Sequence, residues 1–218
     1  MKNWLSYLIP QKIAEYRTPF NAYIRINSES GKMKLLVNGS PQSGPYIDTL
    51  WTAALGAFGI SVREDIKTIL ILGTAGGTVI WKLHTSFPKA LMTGVEIDST
   101  MIDIGKKYFS LATIKQLQLI EADAKVFVQS EIKKKHRYDL VVVDMSFGRV
   151  IPDFVTTPKF IHQIQQLIQP TGATVINYLR ELEYQSLSDT FKSRLQKEFV
   201  TLREHCIYRN RFFFGSIV

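Results

Sequence analysis

The chain has 218 residues, of which 45% are hydrophobic and 21% charged, a balance that excludes disordered and low-complexity classes. Lysine and arginine outnumber aspartate and glutamate by 27 to 19, which gives a formal net charge of +8. The single cysteine, Cys206, excludes an intramolecular disulfide framework, and the four scattered histidines have no metal-ligand spacing. No apolar run approaches the roughly 20 residues of a membrane span. We therefore expect a cytoplasmic protein with one main domain and no membrane or metal partner.

The densest basic cluster is Lys-Lys-Lys-His-Arg at residues 133–137. It is typical of a helix C-terminus, where cations face the negative end of the helix dipole, and also of an anion-binding surface. Aromatic residues are not interleaved with the basic ones, so a stacking platform for single strands is missing. The sequence therefore argues against a nucleic-acid partner and leaves the two interpretations of the cluster open.

Residues 1–45 are predicted to form a helix and then a β-hairpin. The hairpin strands and their connecting turn are residues 22–26, 33–37 and 28–31. Asn38-Gly39 has turn chemistry and ends the second strand. After Pro45, residues 46–58 have helical spacing of apolar residues.

From Ile66 onward, strand and helix patterns alternate, which indicates βαβ units and a mostly parallel sheet. The predicted strands are residues 69–72, 91–97, 117–120, 140–143, 173–178, 200–208 and 212–218. The predicted helices are residues 79–85, 101–109, 124–135, 157–168 and 182–198. The last two strands have no helix between them and should form an antiparallel hairpin at one edge.

This order predicts an α/β fold with a doubly wound, mostly parallel, seven-stranded sheet. A sheet of this Rossmann-like kind with an antiparallel ending resembles the class I S-adenosylmethionine-dependent methyltransferase fold. The expected domains are a short helix and β-hairpin region at residues 1–45 and a nucleoside-binding transferase domain at residues 46–218.

The turn after the first strand of this sheet reads Gly-Thr-Ala-Gly-Gly-Thr over residues 73–78. Glycines in such a turn let a ligand approach the backbone, and the helix N-terminus that follows favours negative charge. The dinucleotide pattern G-x-G-x-x-G is absent, because residue 75 is alanine and residue 78 is threonine. Alone, the turn is compatible either with ligand binding or with tight strand–helix packing.

Three carboxylates, Glu96, Asp123 and Asp144, end the next three strands. Glu96 lies about 20 residues past the glycines, where a carboxylate can accept hydrogen bonds from ribose hydroxyls, or it simply begins a helix. Asp123 can accept a hydrogen bond from an adenine amino group or cap the helix that begins at Ala124. Asp144 is a candidate general base or a structural residue. Because open α/β sheets bind ligands at this edge, the four features together predict a nucleoside site.

These stretches resemble the spermidine synthase (polyamine aminopropyltransferase) family, in particular its spermidine-synthase-like branch. The matching segments are GTAGGT at 73–78, GVEID at 94–98, EADA at 121–124, YDLVVVD at 138–144 and parts of 151–177. Upstream, LVNGSPQ at 36–42 and Tyr-Ile-Asp at 46–48 resemble the family's strand-and-glutamine segment and its tyrosine-bearing helix.

The resemblance implies S-adenosylmethionine or its decarboxylated form as co-substrate and a small-molecule acceptor such as an amine. It also implies a homodimer as one assembly of the family. The residues implied to contact the co-substrate are Gln42, Gly73, Gly76, Gly77, Glu96, Asp123 and Ala124. Asp144 is implied as the proton acceptor, and Tyr46 and Phe147 as acceptor contacts.

The amine half of the family pattern is altered here. Gly76 and Phe147 stand where the family has aspartates, and Thr52 stands where it has a histidine. Because an ammonium group that leaves water needs carboxylate partners, we expect an acceptor other than ordinary putrescine.

Three functions remain open at this stage. The first is transfer of a methyl or aminopropyl group to an unidentified acceptor. The second is polyamine synthesis with rearranged acids, for which Glu64, Asp65 or Asp153 would have to substitute. The third is nucleoside binding without catalysis.

Overall fold

The computed structural model describes residues 9–218, which form an antiparallel four-stranded sheet and a seven-stranded sheet. The first sheet consists of β1 (Gln11–Tyr16), β2 (Ile24–Glu29), β3 (Lys32–Val37) and β4 (Ser40–Ser43). The second consists of β5 (Thr68–Leu72), β6 (Leu91–Glu96), β7 (Leu117–Glu121), β8 (Tyr138–Val143), β9 (Ile168–Leu179), β10 (Thr201–Ile207) and β11 (Asn210–Ser216). The helices are α1 (Pro45–Ala57), α2 (Thr78–Ser86), α3 (Ser99–Tyr108), α4 (Ala124–Lys133), α5 (Pro158–Gln166) and α6 (Gln185–Glu198).

The N-terminal sheet is larger than the predicted hairpin. A helix was predicted before the hairpin, but residues 11–16 form β1, which pairs with β2, so the helix prediction is wrong for these residues. Residues 1–8 lie outside the described residues. Sequence reasoning also missed β4. Asn38 and Gly39 both have positive φ, 49° and 78°, which is the geometry of a tight two-residue hairpin turn, so the chain returns at once as another strand.

The large sheet has the order β10-β11-β9-β8-β5-β6-β7. Strands β5 to β9 pair in parallel, and β11 pairs antiparallel with both β9 and β10. The predicted α/β fold class and the antiparallel edge hairpin are thereby confirmed.

Both faces of the large sheet are covered by helices, because its central strands are apolar on both sides. Ile69 and Ile71 of β5 pack with α1 and α2, while Leu70 and Leu72 pack with α4, α5 and α6 on the other face. Helix α3 instead packs Met101 and Ile104 against the N-terminal sheet. The N-terminal sheet therefore lies beside the start of α3, close to the carboxyl ends of the parallel strands.

The basic cluster of residues 133–137 includes the end of α4. Lys133 lies in the last turn of this helix, and Lys134 and His136 both contact the buried Glu131. The helix-terminus interpretation thus accounts for part of the cluster. Within residues 9–218, no helix combines the length and the apolar character that a bilayer crossing requires.

Candidate active site

The turn after β5 lies against the end of β8. Gly73 has a φ of +86°, and a Cβ built on it would lie 2.2 Å from the backbone oxygen of Asp144. Only glycine fits both the positive φ and this close approach. The glycine therefore sets the distance between the turn and the strand that carries Asp144.

Glu96, at the end of β6, holds this turn in place. Its Oε2 accepts hydrogen bonds from the backbone N–H groups of Thr74 and Ala75, at 3.0 and 3.2 Å. Its Oε1 accepts from Ile97 and Asp98, at 3.0 and 3.3 Å. A carboxylate offers about four acceptor positions. Since the Thr74 hydroxyl also donates to Oε2 at 3.4 Å, a ribose hydroxyl would have to replace one of these donors, and ribose contact by Glu96 stays a prediction.

Asp123 ends the loop after β7 and caps α4. Its Oδ1 accepts a hydrogen bond from the Lys125 N–H at 2.7 Å, which satisfies one of the free donors at the helix start. Oδ2 is 3.7 Å from the Lys125 ammonium and remains able to accept a hydrogen bond. Asp123 is therefore a helix cap, and its contact with an adenine amino group stays a prediction.

A cavity of about 360 Å³, the glycine-loop cavity, opens among these residues. Its wall includes these predicted site residues: Gln42, Gly73, Glu96, Asp123, Ala124, Asp144 and Phe147. Sequence reasoning missed Phe20 and Asn21, which border the same cavity from the segment before β2, and Phe154, from the loop after β8. A strand-end pattern could not have found these three, because they lie in connecting segments.

Asp144 follows β8 and is held from two sides. Asn177 of β9 donates from Nδ2 to Asp144 Oδ1 at 2.8 Å, and the indole Nε1 of Trp51 on α1 donates to Oδ2 at 3.1 Å. Asn210 of β11 in turn donates to Asn177 Oδ1 at 2.9 Å. Burial raises the pKa of the Asp144 carboxyl, and the two N–H donors partly oppose that rise. The carboxylate is thus oriented and is a stronger base than an exposed aspartate.

A second cavity of about 320 Å³, the β9 cavity, lies on the other side of Asp144. Tyr46 and Asn177 line it, together with Glu181, Arg149 and Arg209. The Glu181 side chain is only 17% exposed and forms ion pairs with both arginines. The described lining residues of this cavity therefore include two carboxylates, Asp144 and Glu181, and the guanidinium groups of the two arginines.

The two cavities share four lining residues, Gln42, Asp144, Met145 and Ser146. Gln42 donates from Nε2 to the Gly148 carbonyl at 2.7 Å, and its Oε1 accepts from the Ser146 hydroxyl at 3.0 Å. These bonds tie β4 of the N-terminal sheet to the loop after β8. Gln42 and Asp144 therefore stand at the junction between the cavities.

Two predicted glycines lie away from both cavities. Gly76 donates its N–H to the Ser43 hydroxyl at 2.9 Å, and a Cβ on Gly76 would lie 2.8 Å from the Ser43 side chain. A Cβ on Gly77 would lie 2.5 Å from Leu111. These glycines permit close packing of the turn, so a carboxylate at position 76 would meet β4 rather than an acceptor.

Other predicted acceptor features are also placed differently. Phe147 borders the glycine-loop cavity and not the β9 cavity. Thr52 is exposed and bonds to its own helix, whereas the preceding residue, Trp51, contacts Asp144.

The acids considered as substitutes in the acceptor pocket, Glu64, Asp65 and Asp153, are exposed and line neither cavity. Besides Asp144, the β9 cavity is lined by Glu181, which lies in a loop and has no strand-end or motif signal in the sequence.

Comparison with known proteins links the chain to two kinds of transferase. It is 30% identical to the polyamine aminopropyltransferase of Vibrio vulnificus over 136 residues, and this aligned stretch covers 62% of this chain and 46% of that protein. It is 29% identical to the eEF1A lysine and N-terminal methyltransferase homolog of Drosophila melanogaster over 154 residues, and this stretch covers 67% of this chain and 22% of that protein. The chain thus spans less than half the length of these curated relatives.

Solved structures share the fold. A probable spermidine synthase from Corynebacterium glutamicum superposes with a TM-score of 0.79 at 17% identity, covering 94% of this chain and 80% of that one. Human methyltransferase-like protein 13 in complex with SAH superposes with a TM-score of 0.67 at 22% identity, covering 78% of this chain and 82% of that one. The sequence pattern of a methyltransferase domain family matches residues 64–210. That match covers about two thirds of the chain, from before β5 to the start of β11, and the chain belongs to this methyltransferase domain family.

Proposed function

We propose that the chain is a transferase that binds S-adenosylmethionine or its decarboxylated form in the glycine-loop cavity. It moves a methyl or aminopropyl group to an acceptor that occupies the β9 cavity. The observation that carries this proposal is the junction: Asp144 lines both cavities at once. A donor in one cavity and a nucleophile in the other would meet beside its carboxylate.

The residues around the glycine-loop cavity fit an adenosyl group. Asp123 Oδ2, which lies 3.7 Å from the Lys125 ammonium, can accept from an exocyclic amine, and hydroxyl donors can replace the Glu96 hydrogen bonds of 3.2 and 3.3 Å. Phe20 and Phe154 add aromatic surface. Polar groups for the sugar and the amino group and apolar surface for the ring thus occur in one cavity.

The chemistry needs a positioned nucleophile and a proton acceptor. When bound, the sulfonium supplies an electrophilic carbon and a neutral thioether leaving group. As the bond from an acceptor nitrogen to that carbon forms, the carbon–sulfur bond breaks and its electron pair goes to sulfur. Asp144 takes the proton from the nitrogen. Asn177 and Trp51 keep its two oxygens oriented for this step.

The acceptor that we propose is not ordinary putrescine. Two ammonium groups that enter a cavity need uncompensated carboxylates, since an unpaired buried charge costs several kcal/mol. In the described lining of the β9 cavity, Glu181 is already paired with Arg149 and Arg209, which leaves Asp144 as the carboxylate without a cationic partner there. A single amine, in a small molecule or on a polypeptide, matches one free carboxylate better.

The alternative is a true polyamine aminopropyltransferase with rearranged acids. Glu181 favours it, because this partly buried carboxylate lines the β9 cavity and could exchange an arginine for an ammonium group. A protein that binds nucleosides without catalysis is the third possibility.

Ligand titration and product analysis separate the three. Calorimetry with S-adenosylhomocysteine, methylthioadenosine, S-adenosylmethionine and its decarboxylated form tests the donor cavity. Turnover is then measured by mass spectrometry against putrescine, monoamines and lysine-containing peptides. Methyl transfer leaves S-adenosylhomocysteine, whereas aminopropyl transfer leaves methylthioadenosine.

We expect tight binding of at least one adenosyl ligand and product formation with a monoamine or peptide. Efficient turnover of putrescine, at about 10⁴ M⁻¹s⁻¹ or above, supports the alternative instead. Binding without any product would leave a nucleoside-binding protein. If no adenosyl ligand binds, the proposal fails as a whole.

A further inference from the structure

Part of the glycine-loop cavity lies outside the region that matches the methyltransferase domain family. The match begins at residue 64, but Phe20, Asn21, Val37 and Gln42 line the cavity from the strands of the N-terminal sheet and the connection between β1 and β2. The large sheet supplies the glycine loop and the carboxylates at the strand ends. The remaining wall is added by residues that precede this domain.

The segment of residues 17–21 is tied to the large domain through one buried carboxylate. Asp98 caps α3 by accepting from the Thr100 N–H at 3.0 Å with Oδ1. Its Oδ2 accepts from the Thr18 hydroxyl at 2.6 Å and from the Asn21 side-chain amide at 2.7 Å. Asp98 is 2% exposed and Asn21 3% exposed, so these charge-assisted bonds are shielded from water.

The same segment is also bonded within itself. The Thr18 hydroxyl oxygen accepts from the backbone N–H of Asn21 at 3.0 Å and of Phe20 at 3.3 Å. The backbone on both sides of the Phe20 side chain is thus fixed by Thr18 and Asn21. Phe20 itself remains 42% exposed although it borders the cavity. A large apolar side chain held at a cavity edge, with much of its surface uncovered, is placed to gain contacts when a ligand enters.

We infer that residues 17–21 form a recognition wall for the adenosyl group, with Phe20 as its contact residue and Thr18, Asn21 and Asp98 as positioning residues. This inference rests on the proposed function. Phe20 packs against the bound adenosyl group and removes water from it. The network around Asp98 holds Phe20 in that place, so less conformational freedom is lost on binding.

Removal of the Phe20 side chain tests the contact. Phe20→Ala should weaken binding of S-adenosylhomocysteine by about 5- to 150-fold, the range that aromatic contacts with bases provide. Methylthioadenosine should lose the same factor, because the two ligands share the adenosyl group. Phe20→Trp should restore most of the affinity.

Ile13→Ala is the matched control. Ile13 belongs to the same N-terminal sheet and is 41% exposed, nearly the same as Phe20, but it does not line the glycine-loop cavity. This variant should bind both ligands within about twofold of the wild type. Both variants should melt near the wild-type temperature, because exposed side chains contribute little to stability.

Thr18→Val tests the positioning role, since it keeps the side-chain volume and removes the hydroxyl. We expect a several-fold weaker affinity for S-adenosylhomocysteine and methylthioadenosine. A purely structural role would lower the melting temperature without changing these affinities.

The outcomes separate this inference from the proposed function. If the wild type binds both ligands and Phe20→Ala binds them as well as Ile13→Ala does, the recognition wall is refuted and the proposed function stands. Unequal loss for the two ligands would also refute it, because the contact would then lie outside the adenosyl group. If the wild type binds neither ligand, both fail together.

Discussion

The two cavities on either side of Asp144 are built in different ways. The glycine-loop cavity takes Gly73, Glu96 and Asp123 from the ends of parallel strands, where main-chain geometry fixes them. The β9 cavity takes Glu181, Arg149 and Arg209 from loops, and these charges are fixed by one another. The first kind of site follows from the topology of the sheet, while the second depends on the side chains that the loops carry.

The glycine-loop cavity is therefore set mainly by the main chain, and the β9 cavity mainly by individual side chains. Glu96 accepts hydrogen bonds from four backbone N–H groups in the described chain, so this side of the glycine-loop cavity is organised before a ligand arrives. The pairs around Glu181 are partly exposed, and such pairs contribute only about 0–1 kcal/mol each. The β9 cavity can therefore be rearranged by loop substitutions at small cost in stability.

Deletion of residues 199–218 has the largest expected effect. It removes β10 and β11, and with them Phe212, Phe213 and Phe214, which are at most 8% exposed. Since each buried phenylalanine contributes about 3–5 kcal/mol, their loss approaches or exceeds the 5–15 kcal/mol by which domains are stable. We expect an unfolded chain in circular dichroism and urea titration. A truncated protein that melts cooperatively and binds S-adenosylhomocysteine would mean that the donor side is independent of β11.

Asp144→Asn tests the residue that both cavities share. It keeps the shape and removes the proton acceptor, so turnover should fall by about 10²- to 10⁴-fold, the usual contribution of a general base. Binding of S-adenosylhomocysteine should stay within about threefold of the wild type. Full turnover by this variant would assign Asp144 a structural role.

Glu96→Gln concerns the donor side alone. An amide cannot accept hydrogen bonds with both ends, so the backbone N–H groups of Ile97 and Asp98 or those of the glycine turn lose their acceptor. We expect adenosyl binding to weaken by about 1–3 kcal/mol in calorimetry.

The matched control for Glu96→Gln is Glu121→Gln. Glu121 is the register partner of Glu96 on β7, but it is exposed and does not line the glycine-loop cavity. Equal affinities for the two variants, with both proteins folded, would remove Glu96 from the donor site.

Asn177→Leu is expected to have the smallest effect of these substitutions. It should change the pKa of Asp144. Burial already raises this pKa, and the Asn177 N–H opposes the rise, so its removal should raise the pKa further. A carboxyl-carbon NMR titration, assigned with Asp144→Asn, measures the shift. Because the folded state then holds the proton more tightly than the unfolded chain, stability falls as pH rises through the native pKa. A lowered pKa in Asn177→Leu would contradict the described hydrogen bond.

The sequence predicts the parallel part of the fold well, because β5 and β8 are continuous apolar runs that only a sheet covered on both faces can bury. It also predicts the location of Glu96 and Asp123 in the glycine-loop cavity, since both lie at the carboxyl ends of parallel strands or directly after them. β1 was missed because its charged residues, Lys12 and Glu15, are those of an edge strand and not of a buried one.

The remaining site residues depend on packing that no local pattern encodes. Trp51 has the spacing of a core residue, and the packing of α1 against the large sheet brings its indole N–H to Asp144. Asn177 meets Asp144 because of the register between β8 and β9. Phe147 was assigned to the acceptor by resemblance, but the loop after β8 directs it to the glycine-loop cavity.

The contact between Gly73 and the backbone oxygen of Asp144 also constrains how such a protein can diverge. Any side chain at position 73 would meet the backbone oxygen of Asp144, so a single substitution there would alter the glycine-loop cavity and the position of Asp144 together. Substitutions at Arg149, Glu181 or Arg209 change one cavity only. Over generations, we expect position 73 to stay glycine while these three charges vary, so that new acceptors are acquired around a donor cavity that stays the same.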